Sequence, residues 1–433
     1  MKKRIGIFSI IFVVLTLTSC GNNEPIEPLD ASSSVNSAQA QKPAQIADGE
    51  LQSLKWGSAI TKDGYYLMDP VSNSDNSTNI MYIDFQSKSE IHLCASANCT
   101  HTGPECEGRL PASGGGSRPL IISNQLVLAF PGAPYFNDEL GEASFPKIMT
   151  MGMDGKDKKV ITTFKAAQEI FEPYVTDGEN LYCTLETTEA NELKSEIIKI
   201  NLETGDWIPV YELNVEQGEQ VIDAYGSNFI ISGVGQSLDE TLAQGTVTSV
   251  FFKLNVSTGE KETIFSPESG DTLRIFQGKE LYYFSLSENA LHCLDCETLT
   301  DKIVCESVFE DGTALNLVEF LDCRDGYALF GQTSEDFEDF SMIQVNLSTG
   351  EKSEFNLTST NLMGTVRPVQ VLSKIPGTEQ YLVKIGEKSV EEESQQPDGT
   401  SMYVTTARDI YAIINASDYW ASNPAYSVIE FAF

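Results

Sequence analysis

From residue 51 onward, short runs rich in Val, Ile, Leu, Tyr and Phe alternate with clusters of Asp, Asn, Gly and Thr, and no window sustains apolar residues at the helical period. Runs bounded by turn residues in this way predict β-strands. They recur as a unit. In its third copy, a run at 173–176 turns through Asp177-Gly178-Glu179-Asn180 into 181–185. After a polar stretch, 197–201 turns through Leu202-Glu203-Thr204-Gly205 into 207–211. The second strands of successive units align at 65–68, 126–129, 181–183, 229–231, 281–284, 327–330 and 381–383, spaced by roughly 46 to 61 residues. Closing hairpins at Asn201, Asn255 and Asn346 share the pattern Asn-x-x-Thr-Gly, and its glycine supplies the positive φ of a tight turn. Four strands per unit at this spacing predict an all-β fold, a seven-bladed β-propeller with six or eight blades as the neighbouring counts. The last unit holds four runs of its own, at 369–372, 380–384, 409–414 and 428–433. The segment 51–55 is expected to add a strand at the junction of first and last blades.

Ahead of this body stand Met-Lys-Lys-Arg, an apolar stretch at 5–17, and Leu17-Thr18-Ser19-Cys20. A basic start, a short apolar core and a small-residue cleavage site predict a secretory signal over 1–19, too short to span a bilayer as a permanent helix. Leu-Thr-Ser-Cys has the form of a bacterial lipobox. Cys20 is therefore expected to carry a diacylglyceryl group and to begin the mature chain. Residues 20–50, rich in Pro, Ser, Asn and Gln, read as a flexible tether, and 51–433 as the propeller domain. Loss of Lys2, Lys3 and Arg4 from 28 basic residues leaves 25 against 63 acids, a formal charge of −38. Such a surface repels nucleic acid and anionic headgroups, so the lipid is the expected membrane contact. The predicted address is the outer face of the bacterial cytoplasmic membrane or the cell surface, with the protein a monomer.

Nine cysteines are present. The sharpest chemical feature is Cys94, Cys99, His101 and Cys106, spaced five, two and five apart, with Thr102-Gly103-Pro104 turning the chain back. Three thiolates and an imidazole suit a closed, tetrahedral structural zinc site, in which four protein ligands leave no position for catalysis. A disulfide between two of the cysteines is the other reading. The motif connects the first unit to the second and is expected to shape the binding face. Segments between second and third strands, at 69–79, 131–146, 235–249, 331–339 and 386–409, open on that face. They bring Tyr135, Phe136, Phe337 and Phe340, aromatic residues suited to stacking on sugars or packing on a protein. His292, Cys293 and Cys296 alternate across a strand and read as core rather than as a second metal site. With three histidines in all, the chain has no Gly-x-Ser-x-Gly elbow, phosphate loop or His-Glu-x-x-His pair.

The lipobox, the segment from Cys94 to Cys106 and the ending Ile410 to Trp420, with Asp418-Tyr419, together resemble a family of Gram-positive β-propeller surface lipoproteins. Those carry a Cys-x4-Cys-x-His-x4-Cys segment after the first repeat and a similar Asp-Tyr near the end. The resemblance implies a lipid anchor and a propeller and brings no activity with it. A weaker likeness of 201–207 to pyrroloquinoline-quinone-type repeats reflects shared hairpin mechanics. The function expected is a non-catalytic binding or scaffold module that recognises a protein, peptide or glycan through its loops. The alternative is an envelope glycan hydrolase or lyase using carboxylates on the same face.

Overall fold

Along the strand Gln125–Phe130, Leu126, Leu128 and Phe130 enter one apolar cluster while Val127 and Ala129 enter another. Successive strand side chains point to opposite faces, so this sheet is buried on both. The same division by parity occurs at Leu181, Cys183 and Leu185 against Tyr182, and at Tyr381 and Val383 against Leu382. These strands belong to a computed structural model that describes residues 49–431 apart from 72, 74, 76, 112–116, 134–140, 191, 238–245, 268–269, 338 and 396–400. Cys20, Tyr135, Phe136, the leader and the tether as far as residue 48 lie outside the described residues.

Antiparallel meanders follow one another along the chain. The first contains Gly64–Met68, Thr78–Asp84 and Ser89–His92. The second runs from Arg118–Ile122 to Lys159–Thr163, the third from Gln168–Thr176 to Trp207–Leu213, and the fourth from Gln220–Gly226 to Lys261–Phe265. The fifth runs from Thr272–Gln277 to Thr300–Cys305 and the sixth from Val318–Arg324 to Lys352–Glu354. The last runs from Gln370–Lys374 to Ser427–Val428. Apolar clusters join them in cyclic order. One spans last, first and second sheets; others join second to third, third to fourth, fourth to fifth, fifth to sixth, and sixth to last. A ring of sheets, each packed on two neighbours, is a β-propeller.

Closure differs from expectation. Leu51–Leu54 pairs with the inner strands of the third and fourth sheets, with Leu54 opposite Tyr174 and Leu51 opposite Gly226. It welds those two into one nine-stranded sheet and is not at the junction of first and last. Leu51 and Leu54 are buried in the two apolar clusters that flank the third sheet, and this burial decides the location. The ring is closed instead by Glu430–Phe431, which leaves the last sheet and pairs in parallel with Ser89 and Glu90 of the first. Ile429 plugs the shared core beneath this pairing at 3% exposure.

Local turn chemistry accounts for the hairpins. Asn201, Asn255 and Asn346 each accept two backbone N–H bonds on Oδ1, and the following glycines hold φ of +80°, +73° and +71°. The fifth sheet makes the same turn with Asp295 as acceptor and Leu299 at φ +54°, a copy hidden from pattern reading by the missing glycine. Two of the expected loops are largely strand. Asn228–Ser237 with Thr246–Asn255, and Gln380–Gln395 with Ser401–Asn415, are long hairpins, because backbone pairing continues beyond the packed core.

Candidate functional site

After Ser89–His92 the chain leaves the edge of the first sheet and returns at Arg109–Leu110, which pairs with Thr78 and Asn79. The excursion bends through Asn98 and His101, both at φ +61°. It brings the ligand atoms of Cys94, Cys99, His101 and Cys106 within 4.8 Å of one another. Cys106 Sγ lies 3.5 Å from His101 Nδ1, and the His101 backbone N–H donates to Cys99 Sγ at 3.4 Å. In a tetrahedral zinc site with metal–sulfur bonds of ~2.3 Å, neighbouring ligands stand about 3.5 to 3.8 Å apart, so this donor set fits. All three cysteines are free thiols, which corrects the disulfide alternative.

The electrostatics of the thiols diverge. Burial raises the Cys94 thiol, but hydrogen bonds from the Glu107 and Ser96 backbone and from the neighbouring thiols outweigh it and leave Cys94 below the usual value. Burial pushes Cys106 up to about 12. One thiolate-prone sulfur beside one reluctant one is a pair that a cation would bring to a common charge state. The loop is braced across its base, where the Ala95 N–H donates to Glu107 Oε2 at 2.9 Å, and the His101 ring stacks on His92 of the sheet at 4.1 Å. Lys158, from the second sheet, donates to the carbonyls of Cys106 and Arg109 at 3.0 and 2.7 Å. The cluster thus ties the outer edge of the first sheet to the second.

Of the predicted aromatic residues, Phe337 is 72% exposed and Phe340 is half-buried beneath the Arg367 guanidinium, 5.6 Å from its ring. Phe337 lies in a connection of the sixth sheet and Phe340 begins the strand that follows it. His292 is a core residue, bonded to Asp301 and Glu288 at 3.1 and 2.9 Å and stacked on Tyr283. Cys293 lies opposite Lys302 and Cys305 opposite Leu291, so those two do not pair; both are free.

A second site was not read from the sequence. At the seam of last, first and second sheets lies a cavity of about 400 Å³ whose wall includes Trp56, Tyr65, Glu90, Arg118, Lys384, Arg408, Asp409 and Tyr411. Arg408, 4% exposed, bonds Asp69 at 2.9 Å. Lys384 bonds Asp409 at 2.6 Å and Glu387 at 2.9 Å, and the Tyr411 hydroxyl donates to Asp409 at 3.2 Å. Burial lifts the Glu90 carboxyl to about 7. Met68 and Pro70 end a second strand here, Ser117 precedes a first strand, and Lys384 and Arg408 lie at the base of the long hairpin. The cavity therefore opens at the end of the sheets where second-to-third connections lie. Gly49 packs against Asp177, in a first-to-second turn at the other end. The available signal was a Glu or Arg at a position that strand alternation marks as buried, as Glu90 and Arg408 are.

No family model and no curated protein matches the chain. Among solved structures it is similar to an oligogalacturonate lyase in complex with manganese, at 11% identity and a TM-score of 0.41 over 84% of this chain and 99% of that one. It is also similar to the β-propeller domain of the Trilobed protease from Pyrococcus furiosus, at 10% identity and 0.43 over 80% and 93%. A third is TolB from Acinetobacter baumannii, at 12% identity and 0.34 over 82% and 78%.

Proposed function

We propose that this chain is a lipid-anchored, extracytoplasmic binding protein, a seven-bladed propeller that recognises its ligand at the seam cavity without transforming it. The observation that carries the reading is the cavity itself, a polar and aromatic pocket open at its mouth, on the face opposite Gly49. Zinc bound by Cys94, Cys99, His101 and Cys106 holds the edge loop in place and performs no reaction. Two experiments test the reading: Cys20→Ala should abolish palmitate labelling, and full-length chain should capture an envelope protein, peptide or glycan and return it unchanged. Persistent labelling in the variant removes the anchor, and failure to capture anything removes the binding role.

One observation favours the enzyme reading. Glu90, lifted to about 7, shares the cavity with Asp409, an arrangement able to supply an acid and a base to a glycosidic bond. Cleavage of a captured glycan, lost in Glu90→Gln, would establish it.

A further inference from the structure

Glu90 is 2% exposed. Arg408 Nη1 stands 4.0 Å away, while Nη2 of the same guanidinium holds Asp69. Arg118 has an unmet donor. Its Nη1 donates to Glu172 at 2.9 Å and its Nη2 to the Leu54 carbonyl, but Nε is buried without a partner. The cavity wall thus contains one donor that is withdrawn from water and unmet, a condition that folded proteins keep rare, beside a carboxylate whose ion pair is long. Beside them stands Trp56, 65% exposed at the mouth, with the Arg118 guanidinium 5.7 Å from its ring.

We propose that the seam cavity is a binding site for a neutral sugar, its apolar ring face on Trp56 and its hydroxyls bonded to Glu90 and Arg118. This rests on the ligand-recognition reading above and names the ligand class. A hydroxyl donates and accepts at once, so it can accept from Arg118 Nε and donate to Glu90, and the Lys384–Asp409 pair adds further donors and acceptors to the wall. An anionic ligand finds no free positive charge, because Arg408, Lys384 and Arg118 are each already held by a carboxylate. An organic cation likewise finds the Asp69, Asp409 and Glu172 carboxylates already paired with those side chains. The volume of about 400 Å³ suits roughly one to two sugar rings.

The test is titration of the full-length chain, followed by calorimetry and tryptophan fluorescence. The neutral probes are cellobiose, maltose and diacetylchitobiose; digalacturonate is the anionic probe and spermidine the cationic one. At least one neutral disaccharide should bind at one per chain. Trp56→Ala and Glu90→Ala should each weaken it about tenfold or more, whereas Glu90→Gln, which retains an acceptor, should stay within a few-fold. Circular dichroism melting checks that the variants are folded, and the exposure of Trp56 makes that variant the safest. Binding of digalacturonate or spermidine in preference to every neutral sugar would overturn the proposal, as would neutral-sugar affinity unchanged in Trp56→Ala. If no sugar binds but the full-length chain captures an envelope protein or peptide, the ligand class fails while the recognition reading survives; if nothing is captured either, both fail.

Discussion

The edge loop and the seam cavity both gather polar side chains in a protein whose bulk is apolar sheet packing, yet they are built in opposite ways. In the loop, four donors from thirteen consecutive residues converge on one another, and their distances leave room for an ion. In the cavity, Asp69 and Arg408, 339 positions apart, meet only because the last sheet closes against the first. The loop could be satisfied by one small cation and lies at the edge of the ring. The cavity is part of the ring, and its charges are buried by closure itself.

The largest effect should come from the metal. Chelation, or Cys106→Ser, should abolish bound zinc, expected at about one per chain by elemental analysis. Hydrogen exchange should then accelerate over 93–108 while the sheets stay protected, because structural zinc contributes roughly 10 kcal/mol or more to its own loop. Loss of protection throughout the ring would erase the contrast between the two sites.

Next is Arg408→Ala, which strands Asp69 and Glu90 in a dry environment. Breaking a buried ion pair from one side costs about 3 to 5 kcal/mol, to be read from denaturant unfolding. A cost below 1 kcal/mol would mean that the seam is wetter than its exposure indicates.

The third effect is a pH slope. Between about 4.5 and about 7 the folded protein holds a proton on Glu90 that the unfolded chain has released, so stability should fall as pH rises through this window. The change is of the order of 3 kcal/mol, and below 4.5 this group adds no slope. Asp69 and Asp409 act in the same direction as burial, and Arg408 and Lys388 oppose it. Glu90→Gln should flatten the dependence of melting temperature on pH; an unchanged slope would assign it to other groups.

The smallest effect concerns how the loop is docked. Lys156 reaches Glu107 at 3.6 Å but is half exposed, so Lys156→Ala should leave the denaturant midpoint nearly unchanged. Lys158→Ala, which removes both bonds to loop carbonyls, should cost more, and the difference shows what holds the loop to the second sheet.

Strand positions, hairpins and the metal-ligand cluster were legible because each depends on neighbours a few residues away. An Asn side chain caps its own turn, alternation records a face, and four ligands in one loop need only that loop to meet. The roles of Phe337 and Phe340 were less legible, since two aromatic residues close together in the chain differ in exposure according to what packs beneath them. Two features were decided by long-range contact alone. A strand edge accepts any extended segment, because backbone hydrogen bonds carry no side-chain identity. Nothing in 51–54 distinguishes the inner edges of the third and fourth sheets from the ring junction until Leu51 and Leu54 find their apolar neighbours. The cavity follows the same rule. Trp56, Glu90, Arg118 and Arg408 are ordinary residues where they stand in the chain, and they become a site only when Glu430–Phe431 closes the ring and brings them to one wall.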